Sequence, residues 1–157
     1  MEQIVFVLAL ATNFFSVGYT KIWIHLVWAT KSREPLLAKS VRQKIFTHIR
    51  ENAREKDIHV DFVNGHIDHV HVLISLNADQ TISKIMQLIK GESSYWINKN
   101  NLIPQKFEWQ DDYFAVSVSE LGVNKVREYI KNQGQHIMRK KLSNRNMMNL
   151  WRNMDLY

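Results

Sequence analysis

Residues His59–Leu76 form the stretch HVDFVNGHIDHVHVLISL, and this stretch decides the fold. Its first part alternates apolar and polar residues as far as Asn64-Gly65, a pair that is typical of a two-residue hairpin turn. From Ile67 to Leu76 the alternation resumes among β-branched residues, which favours a second strand. The sequence therefore predicts a β-hairpin that turns at Asn64-Gly65.

Amphipathic segments flank this hairpin on both sides. Period two indicates a strand, and apolar residues recurring every three or four positions indicate a helix. By these rules we expect a strand at 20–30, helices at 38–56, 79–98 and 123–141, and extended pieces within 107–119. Asp79 or Thr81 can cap the second helix. The order predicts an α+β fold with a ferredoxin-like or RRM-like antiparallel sheet (βαββαβ). Helices are expected on one face of this sheet, and the other face is expected to be free. A C-terminal helix follows the last strand.

Composition sets limits on the class of protein. With 157 residues, of which 45% are hydrophobic, the chain fits one globular domain. A formal net charge of +6 favours a polyanionic partner, and the lack of cysteine excludes disulfides and thiolate metal sites. Residues 19–142 are expected to form the single domain and 143–157 a polar tail.

Residues 1–18 are expected to be a dispensable N-terminal extension. Their apolar run is too short to span a bilayer. Glu2 is acidic and no basic residue precedes Lys21, which is unlike a secretory signal. The chain is therefore predicted to be cytoplasmic, without a membrane partner.

His69-Val70-His71 is the first candidate site. Residues i and i+2 of a strand point the same way, so His69 and His71 share a face that Val70 does not. Two adjacent imidazoles can supply two nitrogens to one divalent cation. They can equally be polar residues on the wet face of an edge strand. Asp68 has the other parity and suits a supporting or turn role, and His25 is expected to be a hydrogen-bonded core histidine.

Tyr129 and Gln133 form the second candidate site. They lie four residues apart on the last predicted helix and therefore share a face. Gln133 could offer a neutral third ligand, with the Tyr129 phenol one turn away. The alternative is an amphipathic helix whose tyrosine packs its ring on the sheet. Together the two sites predict a cation that polarises a phosphate and a tyrosine that attacks it to form a phosphotyrosine.

These motifs resemble those of the single-tyrosine HUH transposases of the insertion sequence 200/605 group. The resemblance covers about Thr20 to Lys140. It rests on HLVWATK from His25 with Arg33, Asp68 before His69-Val70-His71, Trp109-Gln110, Tyr113-Phe114, Ser117-Val118-Ser119 and Tyr129-Ile130-x-Asn132-Gln133. The family often has paired histidines where this chain has His136-Ile137, which leaves the role of His136 open.

The resemblance implies a transposase that acts on folded single-stranded DNA ends, expected to be hairpins, through a 5′-phosphotyrosine. It assigns His69 and His71 as metal ligands, Gln133 as the third ligand and Tyr129 as the nucleophile. It also implies Mg²⁺ or Mn²⁺ and a homodimer, in which the tyrosine helix of one subunit can complete the site of the other.

Basic side chains are candidates for contacts with DNA phosphates: Lys31 and Arg33 in the first loop, and Arg139, Lys140 and Lys141 at the end of the last predicted helix. Cations at a helix C-terminus are also favourable for dipole reasons alone. Two other functions remain open. One is a non-catalytic RRM-like module that binds single-stranded nucleic acid on its sheet, and the other is a domesticated relative that cleaves without mobilising its own gene.

Overall fold

The computed structural model describes residues 20–133 of the chain. Within this part, four strands form one antiparallel sheet and three helices pack on it. The elements in chain order are β1 (Ile22–Ala29), α1 (Lys39–Glu55), β2 (His59–Gly65), β3 (His69–Leu76), α2 (Ile82–Lys99), β4 (Phe114–Val118) and α3 (Val123–Lys131), with 3-10 turns at Lys31–Arg33 and Glu120–Gly122. The strand order is β2-β3-β1-β4. This is the ferredoxin-like arrangement, and the predicted fold class is confirmed.

The main core lies between the sheet and the first two helices. Strands β1 and β3 are central, and their antiparallel register places Leu26 opposite Val72 and Trp28 opposite Val70. These side chains are buried against apolar residues of α1 and α2, including Ile45 and Ile85. Val70 and Val72 therefore point into this core, and the parity predicted for His69-Val70-His71 is correct.

Helix α3 lies on the opposite face of the sheet. Val123, Val126 and Ile130 of α3 are buried against Trp23 of β1 and Leu73 of β3. The expectation that this second face is free is therefore wrong for the part that α3 covers. The helix begins at the predicted Val123 and ends at Lys131; the rest of the predicted helix, from 134 onward, lies outside the described residues.

The hairpin between β2 and β3 differs from its prediction. Asn64 and Gly65 are the last residues of β2, paired with His71 and Val70, and residues 66–68 make the connection. A two-residue turn of this kind needs left-handed backbone at Asn64-Gly65, and neither residue has a positive φ. Gly65 is required for another reason, because a Cβ there would lie 2.2 Å from the backbone oxygen of His69.

Thr81 caps α2, since its side chain accepts a hydrogen bond from the backbone N–H of Lys84. The sequence left Asp79 and Thr81 as alternatives, and the structure selects Thr81. None of the helices between residues 20 and 133 combines the length and the apolar character needed to cross a membrane.

Gly65→Ala tests the packing of the hairpin, and Gly91→Ala is its comparison inside a helix. Gly65→Ala should lower the free energy of unfolding by about 1–3 kcal/mol, because the new methyl group meets backbone rather than a flexible side chain. Gly91→Ala, inside α2 with nothing within 4 Å of the new Cβ, should raise it by about 0.5–1 kcal/mol. Urea unfolding followed by circular dichroism measures both, and a neutral Gly65→Ala would contradict the close approach.

Candidate active site

Three histidines share the sheet face on which α3 packs. His69 and His71 of β3 are 9% and 2% exposed, and His25 of β1 is 1% exposed. The ring centroids of His69 and His71 are 5.1 Å apart, and those of His25 and His71 are 5.2 Å apart. The alternation of two neighbouring strands thus gathers three imidazoles into one largely desolvated cluster.

An acidic side chain orients His69. Asp68 Oδ1 lies 2.6 Å from His69 Nδ1, and Arg33 holds the other carboxylate oxygen at 3.2 Å. Burial opposes the ionisation of Asp68, but the bonds from His69 and Arg33 hold its pKa below the usual value. An ionised carboxylate only accepts hydrogen bonds, so His69 must donate from Nδ1, and its lone pair is on Nε2.

A second histidine orients His71. His71 Nδ1 and His25 Nε2 are 3.1 Å apart, within hydrogen-bond distance. Burial lowers the pKa of His25 to about 4, and burial together with the neighbouring His25 and His69 lowers the pKa of His71 well below its usual range. Both rings are therefore neutral near pH 7. When His71 donates from Nδ1 to His25, its Nε2 carries the lone pair, as a metal ligand requires.

Tyr129 of α3 lies next to this cluster in the same chain. Its ring centroid is 5.6 Å from that of His71 and 6.2 Å from that of His25, both nearly perpendicular. Burial raises the pKa of the Tyr129 phenol above its usual value, although a side-chain hydrogen bond with Gln133 acts in the other direction. The resting phenol is therefore protonated, and its ionisation needs help.

Gln133 is buried beside Tyr129 at the end of the described chain. Its Nε2 donates to the backbone oxygen of Tyr129 at 3.2 Å. This hydrogen bond uses the nitrogen of the carboxamide. The oxygen of the same group, Oε1, is therefore the candidate ligand atom. The structure thus places Gln133 against Tyr129, the residue that lies next to the histidine cluster.

A bidentate ion pair anchors α3 to β2. Arg127 donates from Nε and Nη2 to the two carboxylate oxygens of Asp61, both at 2.7 Å. Just before the helix, Glu120 accepts a 2.7 Å hydrogen bond from Trp23 Nε1. These polar contacts surround the apolar contacts of α3 and hold it across the strands that carry the histidines.

The acidic and histidine side chains of residues 20–133 include no group of three or more that is arranged for a metal ion. A cation at this site would therefore depend on two imidazoles and a ligand of another type. A carboxamide oxygen, which Gln133 carries, is a ligand of another type.

The candidate DNA-binding cations are in different situations. Lys31 pairs with the exposed Asp111 at 3.5 Å, and Arg33 pairs with Asp68. Arg33 is thereby linked to His69, although its side chain remains about half exposed. The other candidates, Arg139, Lys140 and Lys141, lie outside the described residues, as does His136, whose role the sequence left open.

His25 is the site residue whose place the sequence did not predict. Its burial and hydrogen bonding are as expected, but it was assigned to the core and not to the candidate site. Pairing of β1 with β3 puts Val27 opposite His71, and His25 is two residues from Val27 on the same face. The signal was therefore available in the parity of β1 combined with the strand order.

Comparisons with known proteins agree on one class. The family described as "Transposase IS200 like" matches residues 18–133. The ISDra2 transposase TnpA of Deinococcus radiodurans is 28% identical over 123 residues, which cover 74% of this chain and 87% of that protein. The transposase for insertion sequence element IS200 of Salmonella typhimurium is 25% identical over 114 residues, which cover 69% of this chain and 74% of that protein.

Solved structures give the same result for the fold. A crystal structure of a candidate transposase from Deinococcus radiodurans superimposes with a TM-score of 0.61 at 26% identity, covering 74% of this chain and 95% of that one. A REP-associated tyrosine transposase bound to a REP hairpin superimposes with a TM-score of 0.56 at 15% identity, covering 74% and 68%. This second likeness concerns the fold alone.

The fold and these similarities define a transposase. More particularly, the chain belongs to the IS200-like transposase family, as its sequence motifs indicated. Membership of this family implies a role in DNA transposition through cleavage and strand transfer of DNA.

The Asp68 contact can be tested without any ligand. In ¹⁵N spectra of the imidazole rings, His69 should be in the Nδ1-protonated form, because Asp68 accepts that proton. Asp68→Asn should shift the ring toward a mixture of the two tautomers, since an amide can either donate or accept. Asp111→Asn, which alters an exposed ion pair, should leave the His69 signals in place. An unchanged His69 spectrum in Asp68→Asn would contradict the orienting role.

Proposed function

We propose that this transposase cleaves single-stranded DNA with Tyr129 as its nucleophile and a divalent cation bound by His69, His71 and Gln133. The observation that carries the proposal is the proximity of Tyr129 to the buried histidine cluster, 5.6 Å from His71 between ring centroids. A tyrosine that only packed on the sheet would not need two neutral, oriented imidazoles beside it.

The reaction transfers a phosphodiester bond from DNA to the protein. The phenol oxygen of Tyr129 attacks phosphorus, the bond from phosphorus to the 3′ oxygen breaks, and the phenolic proton is transferred in net terms to the leaving 3′ hydroxyl. The product is a 5′-phosphotyrosine that keeps the energy of the original bond. Attack of a 3′ hydroxyl on this linkage reverses the step and joins strands without a nucleotide cofactor.

The residues present fit a divalent cation. His69 and His71 are each held through Nδ1, which leaves the Nε2 atoms for a metal. With Gln133 they make a neutral set of two nitrogens and one oxygen. The family resemblance implies Mg²⁺ or Mn²⁺, and these ions prefer oxygen ligands, which DNA phosphate would supply together with the negative charge. A bound cation would act as a Lewis acid on the scissile phosphate. The protein's own part is to exclude water and hold the phenol beside that position.

Single-stranded DNA with a hairpin is the proposed substrate. The net charge of +6 favours a polyanion, and one structural relative is described as bound to a REP hairpin. Lys31 and Arg33 are proposed to contact phosphates near His69. Arg139, Lys140 and Lys141 are also proposed to contact DNA phosphates. We also propose a homodimer. The contacts of α3 with its own sheet support a site completed within one chain.

Covalent labelling tests the nucleophile. The protein is incubated with Mn²⁺ and hairpin-bearing single strands labelled at either end, and the products are separated under denaturing conditions. Only the 3′ label should remain on the protein, because the 5′ phosphate of the downstream fragment is the linked group. Tyr129→Phe should abolish the adduct, and the exposed Tyr95, changed to Phe, should leave it intact.

Other outcomes would refute the proposal. An adduct that persists in Tyr129→Phe would assign the nucleophile elsewhere. Binding of single strands that survives EDTA and His71→Ala, without covalent product from any strand, would instead indicate a binding module. Mass spectrometry of the digested adduct identifies the modified residue directly.

Metal binding by the imidazole pair can be measured separately, by the loss of the free Mn²⁺ signal in electron paramagnetic resonance. His71→Ala should remove most binding, and Asp68→Asn should weaken it about 10- to 100-fold because His69 loses its orienting partner. His48→Ala removes an imidazole that is bonded to Glu92 on α2 and should have little effect. Equal affinities in all three variants would place the metal elsewhere.

A further inference from the structure

Asn64 joins the hairpin to the end of the tyrosine helix. Its Nδ2 donates to the backbone oxygens of Ile130 and Lys131, at 2.9 and 3.1 Å. These two residues directly follow Tyr129 in the chain. The Asn64 amide thus donates to two carbonyls at the described end of α3, and the Ile130 oxygen also accepts from the backbone N–H of Asn132.

The place of Asn64 in the sheet gives this contact its importance. Asn64 of β2 pairs with His71 of β3 in the antiparallel register, and paired residues lie on the same face of a sheet. One carboxamide thus sits beside a candidate metal ligand and at the same time holds the backbone that carries the candidate nucleophile. Asn64 therefore links the two halves of the site.

A second polar contact joins β2 and α3, and the two contacts together fix how α3 is oriented on the sheet. Arg127, two residues before Tyr129, is paired with Asp61, three residues before Asn64. The apolar contacts of Val126 and Ile130 oppose separation of α3 from the sheet, but they constrain rotation and sliding only weakly. Hydrogen bonds on both sides of Tyr129 do constrain the rotation and sliding of α3. Successive residues of a helix point about 100° apart around its axis, so the rotation of α3 decides where the Tyr129 side chain points.

We propose that Asn64 is a positioning residue, whose two hydrogen bonds set the rotation and height of α3 and so direct the Tyr129 phenol toward the histidine cluster. This inference rests on the proposed function of Tyr129. Asn64 does not touch the reacting atoms and acts through the backbone of Ile130 and Lys131.

An isosteric substitution separates this role from packing. Asn64→Asp keeps the shape of the side chain but replaces the two N–H donors with an oxygen that faces two carbonyl oxygens. Asn98→Asp is the matched control, because Asn98 Nδ2 also donates to two backbone oxygens, those of Ser94 at 2.9 Å and Phe107 at 2.8 Å. Asn98 belongs to α2, on the other side of the sheet. Asn64→Ala is a second variant, used if Asn64→Asp does not fold.

The position of α3 can be measured directly because the chain has no cysteine. Glu128→Cys on α3 and Glu51→Cys on α1 provide two exposed sites for spin labels. Labelled chains are diluted with unlabelled chains so that only distances within one chain contribute. We expect one narrow distance distribution in the parent and in Asn98→Asp, and a broadened or shifted distribution in Asn64→Asp.

The rate of adduct formation is measured in a single turnover with hairpin DNA and saturating Mn²⁺. Asn64→Asp should slow it about 10- to 100-fold, since a misplacement of about 1 Å can cost that much, with Mn²⁺ affinity close to that of the parent. An unchanged rate, an unchanged distance distribution, or an equal loss in Asn98→Asp would overturn the proposal. If the parent forms no adduct, the proposed function has failed, and the distance distributions alone then decide whether Asn64 positions α3.

Discussion

The antiparallel pairing of β1 with β3 is the constraint on which the rest of the structure depends. Val70 and Val72 are fully buried against α1 and α2, whereas the alternate residues His69 and His71 face α3. A slip of one residue would send imidazoles into the apolar core and valines into the site. Burial of the two valines on one face of the sheet therefore also places both histidines on the other face, and no further interaction is needed to decide on which face they lie.

The desolvation of this cluster has a chemical consequence. His25 and His71 are neutral because burial lowers their pKa values, and the guanidinium of Arg33 is compensated by Asp68. A charged imidazole at this depth would be costly, whereas a neutral pair that shares a hydrogen bond is tolerated. The same burial raises the pKa of Tyr129. The phenol of the proposed nucleophile is therefore protonated in the resting site, and in the proposed reaction its ionisation has to be linked to what the site binds.

Local patterns in the sequence were sufficient for the strands, the helices and the shared face of His69 and His71, since each depends on periodicity within a few residues. They failed where distant residues decide. Asn64 and Gly65 resemble a turn locally, but Asn64 is held in β2 by carbonyls of α3, and Gly65 by the approach of His69. The inclusion of His25 in the site required the strand order, and the placement of α3 required tertiary contacts that no local pattern contains.

Within the described residues helix α3 has nine residues, and an isolated helix of that length is not stable in water. Its structure therefore depends on docking, through three buried apolar side chains and the contacts with Asp61 and Asn64. Because α3 carries the proposed nucleophile and the sheet carries the two proposed histidine ligands, the two halves of the proposed site belong to separate elements of the fold. Such a division suits an enzyme that must first hold one strand covalently and then admit another. In a homodimer, α3 of one subunit could instead dock on the sheet of the other subunit, and this exchange would break only the few contacts named above.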